Sequence, residues 1–596
     1  MNMHVVEVIS DEAEGGTFSR GLSVDQRNRI ADWASLTQTV LGRFHLRLED
    51  VDDEAPDAAE AFVGSRMEKR LALSVAATAL GTWLFGKRGE GREAEKNDKN
   101  KFNTLKKQAD AISAYILSEG LFYSTRGLPE NHAIMVSVGE GAMPKAGELP
   151  EQGANPQLAF GRIYARPQVA MWLQDQVRPL LNPDRIGSGW PALWSALQKE
   201  RITVWGAAID QLENTTRFTR GEDTGPLVVC HVFNQPLTLA CPYESYSGML
   251  SVPRDVHDRA VENSRLLNYL TPRAKVLEAI HWAYPDITPD RVHVWTLGGA
   301  SRVKRIGKLW AEWEAAGVHI IEDGWEVPGT NGGRAFRESG TYAPIYRVGV
   351  YEDAARQRHV LICDGYAATA EAIQAASLDP ILGIRTSMCL FTPDFLKSYD
   401  EDWKTMHLKA EDAGAAREHV EEAMRANIPL GRRTLTIDDF LPLKDWRCLA
   451  ISAAIEDDPY STMRGIETLA DGQYRVSVRL ATNGGNVRIV RLTLSFELSP
   501  QETRRAFLPL LDRFWEGEKF SDRAVKSSDV GRNLNELRTW SWNSVIDLPD
   551  GNVQVNLSRV DEAVIPREKR EMIVEVLRRY KTEYPALTRK VLIEPL

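Results

Sequence analysis

The chain has 596 residues, which at about 100–200 residues per domain corresponds to roughly three to five domains. Hydrophobic residues make up 43% and charged residues 26%, which excludes disordered, collagen-like and fibrous classes for most of the length. With 73 basic against 83 acidic residues the net charge is −10, a poor balance for a general polyanion or anionic-membrane binder.

Five cysteines, Cys230, Cys241, Cys363, Cys389 and Cys448, are widely spaced, odd in number and form no CxxC. That argues against a disulfide framework and a structural zinc site, and for a reducing compartment. Residues 1–11 carry no basic stretch followed by an apolar run, so no secretory leader is expected. The most apolar segment, 71–86, is shorter than the roughly 20 residues of a membrane span and predicts a buried core helix. The expectation is a cytoplasmic protein with no membrane partner.

In chain order, residues 1–130 read as a mainly helical N-terminal region. Ser23 and Gln26 resemble a capping box before a helix over 27–41. The acids from Glu49 to Glu60 predict a solvated loop. Residues 87–107, with eight basic and four acidic side chains, predict an exposed connector or mobile loop. A helical pattern resumes over 103–118.

Residues 131–290 read as a mixed region, with a strand at 133–138 and a helix at 169–181. Two apolar runs within 226–240 are split by Asn234, Gln235 and Pro236. Helical spacing through Val261, Leu266, Leu270, Val276 and Ile280 breaks at Pro272.

Residues 291–450 read as an α/β domain. A strand at 292–297 is followed by a glycine turn and a helix over 302–316, with Val303, Ile306, Trp310 and Trp313 on one face. Gly317 stops that helix, and a strand at 318–321 follows. Strands at 346–351 and 359–363 and a helix at 367–378 complete a second strand–helix pair. The alternation predicts a parallel, Rossmann-like sheet with 292–297, 318–321 and 359–363 as members.

Residues 451–596 read as a C-terminal α+β domain with antiparallel hairpins. Strands at 474–480 and 487–496 flank Asn483-Gly484-Gly485-Asn486, a strong hairpin signal. Ser499, Pro500 and Glu502 open a helix bent at Pro509, a second hairpin surrounds 549–552, and Pro566 opens a last helix. The order hairpin, helix, hairpin, helix hints at a duplicated unit, without matching residues.

The segment Gly298, Gly299, Ala300, Ser301, Arg302, Val303, Lys304 carries the strongest chemical signal. Two glycines at a strand end let backbone approach a ligand, and free N–H groups at a helix start favour an anion. Basic residues in a first helical turn oppose the helix dipole, a conflict that a bound anion removes. The pattern matches neither GxGxxG nor the P-loop, so its specificity is low; the plain alternative is a tight turn with its bases paired to acids. Glu322 and Asp323 close the next predicted strand and Asp364 closes another. These acids suit general acid/base work, and Asp323 with Asp364 suit Mg2+. Arg334 and Arg337 lie in a glycine-rich stretch, 328–342, that reads as a lid over the same edge.

Cys230-His231 with Cys241 is a weak thiol–imidazole candidate. The eleven histidines show no HxH or HxxxH, and His293 and His319, on neighbouring predicted strands, read as core or boundary side chains. Together these features predict an enzyme acting on a phosphorylated or otherwise anionic small molecule. Phosphoryl transfer, carbon–oxygen lyase chemistry and isomerisation fit equally. Two other readings stand beside it: a non-catalytic assembly protein, including a homo-oligomer, built on aromatic interfaces, and a nucleic-acid-associated protein using 87–107 and 302–308, which the net acidity disfavours.

Overall fold

A computed structural model describes residues 47–53, 65–125, 128–139, 163–165, 167–177, 189–238, 246–269, 271–296, 303–322, 324–329, 342–390, 434–458, 463–469, 473–483 and 485–495, the single residues Leu158, Gly161 and Leu180, and three short strands at 545–547, 553–555 and 591–593. The fold is mixed α/β with mixed sheets.

The strands in chain order are β1 (Arg47–Asp53), β2 (His132–Gly139), β3 (Ile163–Ala165), β4 (Thr203–Glu213), β5 (Leu227–Phe233), β6 (Tyr246–Pro253), β7 (Val292–Thr296), β8 (His319–Ile320), β9 (Gly349–Glu352), β10 (Arg358–Ala368), β11 (Ile384–Leu390), β12 (Cys448–Ala454), β13 (Glu467–Thr468), β14 (Gln473–Thr482), β15 (Asn486–Ser495), β16 (Val545–Asp547), β17 (Val553–Val555) and β18 (Val591–Ile593). The described helices of nine or more residues are α1 (Ser65–Phe85), α2 (Lys99–Thr125), α3 (Pro167–Val177), α4 (Trp190–Glu200), α5 (Arg254–Glu262), α6 (Arg273–Ala283), α7 (Val303–Ala315) and α8 (Thr369–Ser377).

A nine-stranded sheet runs β1-β15-β14-β12-β5-β4-β2-β3, with β13 on β14. Its strands come from residues 47–53, 132–233 and 448–495, so stretches far apart in the chain share one sheet. The stretch Leu227–Phe233 is buried at every residue because both faces are covered. Val228, Cys230 and Val232 pack with Leu71, Val75 and Leu80 of α1 and Leu117 of α2. Leu227, Val229 and Phe233 point the other way, into the cluster that contains α8.

A six-stranded sheet runs β11-β6-β10-β7-β8, with β9 on β10. β10, β7 and β8 are mutually parallel: Val360 pairs with Val292, and His293 with His319. Val292, Val294, Val360 and Ile362 face α5, α6 and α7 through Val256, Ile280, Leu309 and Trp313. Trp295, Leu361 and Cys363 face α8. α8 therefore lies between the sheets, packed against β2, β4 and β12 on one side and β6, β10 and β11 on the other. Every residue of it except Glu371 is buried. Ala370, Ala372, Ala375 and Ala376 leave the thin profile this position needs.

Several expectations are met in place. Residues 71–86 lie in core helix α1, and no helix among the described residues is long and apolar enough to cross a membrane. β14 and β15 form the expected hairpin, with Thr482 opposite Asn486 and Gly485 at φ +83°, a left-handed position that favours glycine. β16 and β17 pair antiparallel around 549–552.

Others change. Residues 47–53 form a strand on β15 instead of part of a solvated loop, because an edge strand needs partners on its backbone and not on its side chains. The stretch 87–107 is not a loose connector: it forms a short helix, Gly91–Asn97, and the start of α2. Ala94, Phe102 and Leu105 bury one another there, and Arg220 grips both oxygens of Glu95 at 2.5 and 2.7 Å. The second run of 226–240 is not a strand where it is described. The helices expected at 27–41, after Ser499 and after Pro566 lie outside the described residues.

Enlarging a side chain on α8 has no free direction in which to relax. Ala375→Leu, at a residue with no exposed surface, is expected to lower stability by about 1–3 kcal/mol, read as a lower urea midpoint with an unchanged slope.

Candidate functional site at the carboxyl edge of the parallel strands

β7 ends at Thr296, and the chain enters α7 at Val303. Gly298, Gly299, Ser301 and Arg302 thus connect a strand carboxyl end to a helix start, though they, Asp323, Arg334 and Arg337 lie outside the described residues. Lys304 belongs to the first turn of α7, with its side chain outside the description. Glu322 is exposed two residues beyond β8, at the same edge. α8 also starts at this edge, directly after β10, but on the opposite face of the sheet from α7.

Beneath the edge sits a buried charge cluster. Asp364, opposite Thr296 in the register, has no exposed surface. Its Oδ2 lies 2.7 Å from Arg273 Nε and accepts the Trp313 indole N–H at 2.7 Å, and Oδ1 accepts Arg273 Nη2–H at 3.2 Å. Arg273 Nη1 donates to the carbonyls of Tyr269 and Thr271 at 2.8 and 2.5 Å. Arg273 opens α6, and its backbone N–H donates to Glu312 of α7 at 3.3 Å. Burial pushes the Asp364 carboxyl up to about 6, against the opposing pull of Arg273 and the Trp313 N–H. One strand and two helices meet in this carboxylate. Asp364 was expected as an acid/base group or Mg2+ ligand; with both oxygens engaged and no access to solvent, its place is that of a pin under the edge. Trp310 adds a second tie, its indole N–H donating to Thr296 Oγ1 at 2.6 Å.

Three carboxylates that the sequence did not single out converge where β4 meets the start of α8. Oxygens of Asp210, Glu213 and Glu371 lie within 4.8 Å of one another, a hard donor set of the kind Mg2+ or Ca2+ takes. Each also holds backbone: Asp210 accepts the Leu212 N–H at 3.1 Å, Glu371 the Ala368 N–H at 2.8 Å, and Glu213 the Tyr342 N–H at 3.4 Å. No spacing in the sequence links them, because β4 and α8 are brought together only by the packing of the sheets.

The thiol–imidazole candidate dissolves on the strand's own geometry. Cys230 and His231 are consecutive and face opposite sides of β5. Among the described residues Cys448 Sγ lies 4.0 Å from His231 Nδ1, and Cys241 lies outside them. Burial pushes the Cys230 thiol up to about 12, raises that of Cys448, and holds His231 down at about 3, so no thiolate forms there. His231 instead belongs to a closed polar chain. Ser377 donates to the Gln374 carbonyl and receives the His231 Nδ1–H at 2.7 Å. His231 Nε2 accepts from Tyr342, which accepts from Tyr346 at 2.7 Å. The Arg479 guanidinium lies 4.1 Å over the Tyr346 ring and is paired with buried Asp458 at 2.5 Å. His293 and His319, expected as core or boundary side chains on neighbouring strands, meet each other, and His293 also meets His359.

Removing one member of the Asp364–Arg273 pair leaves a buried charge without a partner. Asp364→Leu and Arg273→Met are each expected to cost about 3–5 kcal/mol in urea unfolding, while the two combined recover most of the loss. Losses that simply add would show that the two charges are not coupled.

No protein-family profile matches this chain, and no curated protein matches it, so function is read from the residues of the edge themselves.

Proposed function

We propose that the chain binds a phosphorylated or otherwise anionic small molecule at the carboxyl edge of β7, β8 and β10, and acts on it there. The observation that supports this reading is topological. From β7 the chain crosses by α7 on one face to β8; β10 lies on the other side of β7 and is followed by α8 on the opposite face. Open α/β sheets take ligands in the crevice at such a reversal, outside the carboxyl ends of the strands. In this reading the central region is doubly wound and Rossmann-like.

Gly298 and Gly299 bring backbone N–H groups to the anion, Ser301 adds a hydroxyl, and Arg302 and Lys304 supply charge. An anion bound there relieves the repulsion between those bases and the positive end of the α7 dipole. Arg334 and Arg337 close over the ligand. Glu322, exposed at the edge, and Asp323 beside it supply the acid/base groups. The carboxylate of Asp364 supports this edge from below and does not reach it.

The test pairs binding with stability. A charged hydrogen bond to a bound phosphate contributes about 1.5–3 kcal/mol. Arg302→Ala is therefore expected to weaken binding of inorganic phosphate or a nucleotide about ten- to a hundredfold, with the thermal midpoint of the free protein little changed. Ligand-induced stabilisation of equal size in wild type and variant would overturn the assignment.

A further inference from the structure

At the opposite, amino edge of the same three strands, four side chains form a chain of contacts. His319 Nδ1 and His293 Nδ1 are 2.9 Å apart, His293 Nε2 and His359 Nδ1 are 2.9 Å apart, and His359 Nε2 lies 3.4 Å from Asp353 Oδ2. The ring centroids stand 5.0 and 5.1 Å apart, nearly as far as rings joined end to end along straight N–H···N lines allow. That geometry is hydrogen bonding between imidazoles. It is not chelation, in which both rings would lean toward a common ion and their centroids would draw together.

The protons can be placed without conflict. His359 Nε2–H donates to Asp353, His293 Nε2–H donates to His359 Nδ1, and His319 Nδ1–H donates to His293 Nδ1. All three imidazoles are then neutral, and only His319 Nε2, on a half-buried ring, keeps a lone pair without a protein partner among the described residues. That position accepts one further proton, which the carboxylate of Glu322, facing His319, offsets. A second extra proton must enter a link already holding one, setting two N–H groups against each other. Burial and its two neighbours hold His293 down at about 3, and burial also lowers His319.

The charged groups facing the chain are few. Asp290, in the turn before β7, faces His293 and His359; Glu322 faces His319; Asp353 faces His359. The neighbouring cations are held elsewhere: Arg358 on Asp286, and Arg291 on the Asp286 and Arg358 carbonyls and the Thr288 hydroxyl. Trp325 covers the ring of His293 at 4.6 Å and that of His319 at 5.2 Å, shielding the links from water.

We propose that His319, His293, His359 and Asp353 form a pH-sensitive latch that ties β8 and the segment after it to β7 and β10 when the imidazoles are neutral, and releases them on acidification. β8 offers only two residues to the sheet, and the imidazole links add to the burial of Val318 and Ile321 and the Ile321 N–H bond to the Val294 carbonyl that also hold this segment. The sign follows from linkage. His293 and His319 bind protons less readily in the closed latch than in an open one, so opening takes up protons and becomes easier as pH falls below about 6.5.

Hydrogen exchange resolved by peptide, corrected for the intrinsic effect of pH, tests the latch on the full chain. Between pH 7.5 and 5.5, peptides covering 317–327 are expected to lose at least tenfold protection, the change about one pH unit gives for one proton of imbalance, while 246–253 in β6 keep theirs. In His293→Phe the protection of 317–327 should no longer depend on pH. Should that variant not fold, His319→Gln at the half-buried end gives the same expectation. Equal protection at both pH values in the wild type, or the same loss in the variants, would overturn the latch. The exchange is read without added anion, so neither outcome depends on whether the carboxyl edge, to which Glu322 and Asp323 of this segment are assigned above, binds one.

Discussion

The structure depends on one buried helix. α8 fills the space between two sheets, and a helix covered on all sides has no polar stripe to offer water. Most of its polar side chains bond within the protein instead, though the Gln374 side-chain oxygen has no hydrogen-bond partner among the described residues. Glu371 caps its start through the Ala368 N–H, Gln374 donates to the Ala208 carbonyl at 3.1 Å, and Ser377 takes the His231 N–H at its end. Thr369 meets Ser247 of β6 at 3.1 Å. These contacts fix the helix against both sheets at once, so β4 and β5 on one side and β6 and β10 on the other share one register with it. Four alanines make this spacing possible, because larger side chains would hold the sheets apart.

Charge is placed where this packing leaves no water. The pairs Asp364–Arg273 and Asp458–Arg479 are both buried, and both sit beside aromatic rings that accept a guanidinium face. A buried pair gives little net stability over an apolar substitute, but its hydrogen bonds are directional. Asp364 joins β10 to α6 and α7, setting the height of both helices at the carboxyl edge. Asp458 and Arg479 close the polar chain that reaches from β14 through Tyr346 and Tyr342 to α8.

The six-stranded sheet thereby has two unlike ends. At the carboxyl ends of β7 and β10 the chain goes on to helices on opposite faces of the sheet. At the amino ends the side chains are imidazoles in series. The first arrangement is the edge proposed above to take an anion. The second responds to protons, since imidazole changes charge nearest neutral pH.

The sequence by itself determined the local elements. Hydrophobic period and turn residues located β7, α7, β10, α8 and the β14–β15 hairpin, because each of these is written in neighbouring residues. The parallel pairing of β10, β7 and β8 followed from strand–helix alternation. Tertiary structure alone decided who meets whom. Asp364 looked like a free acid at a strand end until Arg273, Trp313 and burial took both its oxygens. His293, His319 and His359 share no spacing and meet only because three strands are in register. Cys230 and His231 looked like partners but were separated by the alternation of a strand covered on both faces. Arg479 lies buried on β14, paired with Asp458 and over the Tyr346 ring, because tertiary packing closes over that face. Period reports which residues share a side of an element; only the packing of two sheets on one helix decides what that side faces.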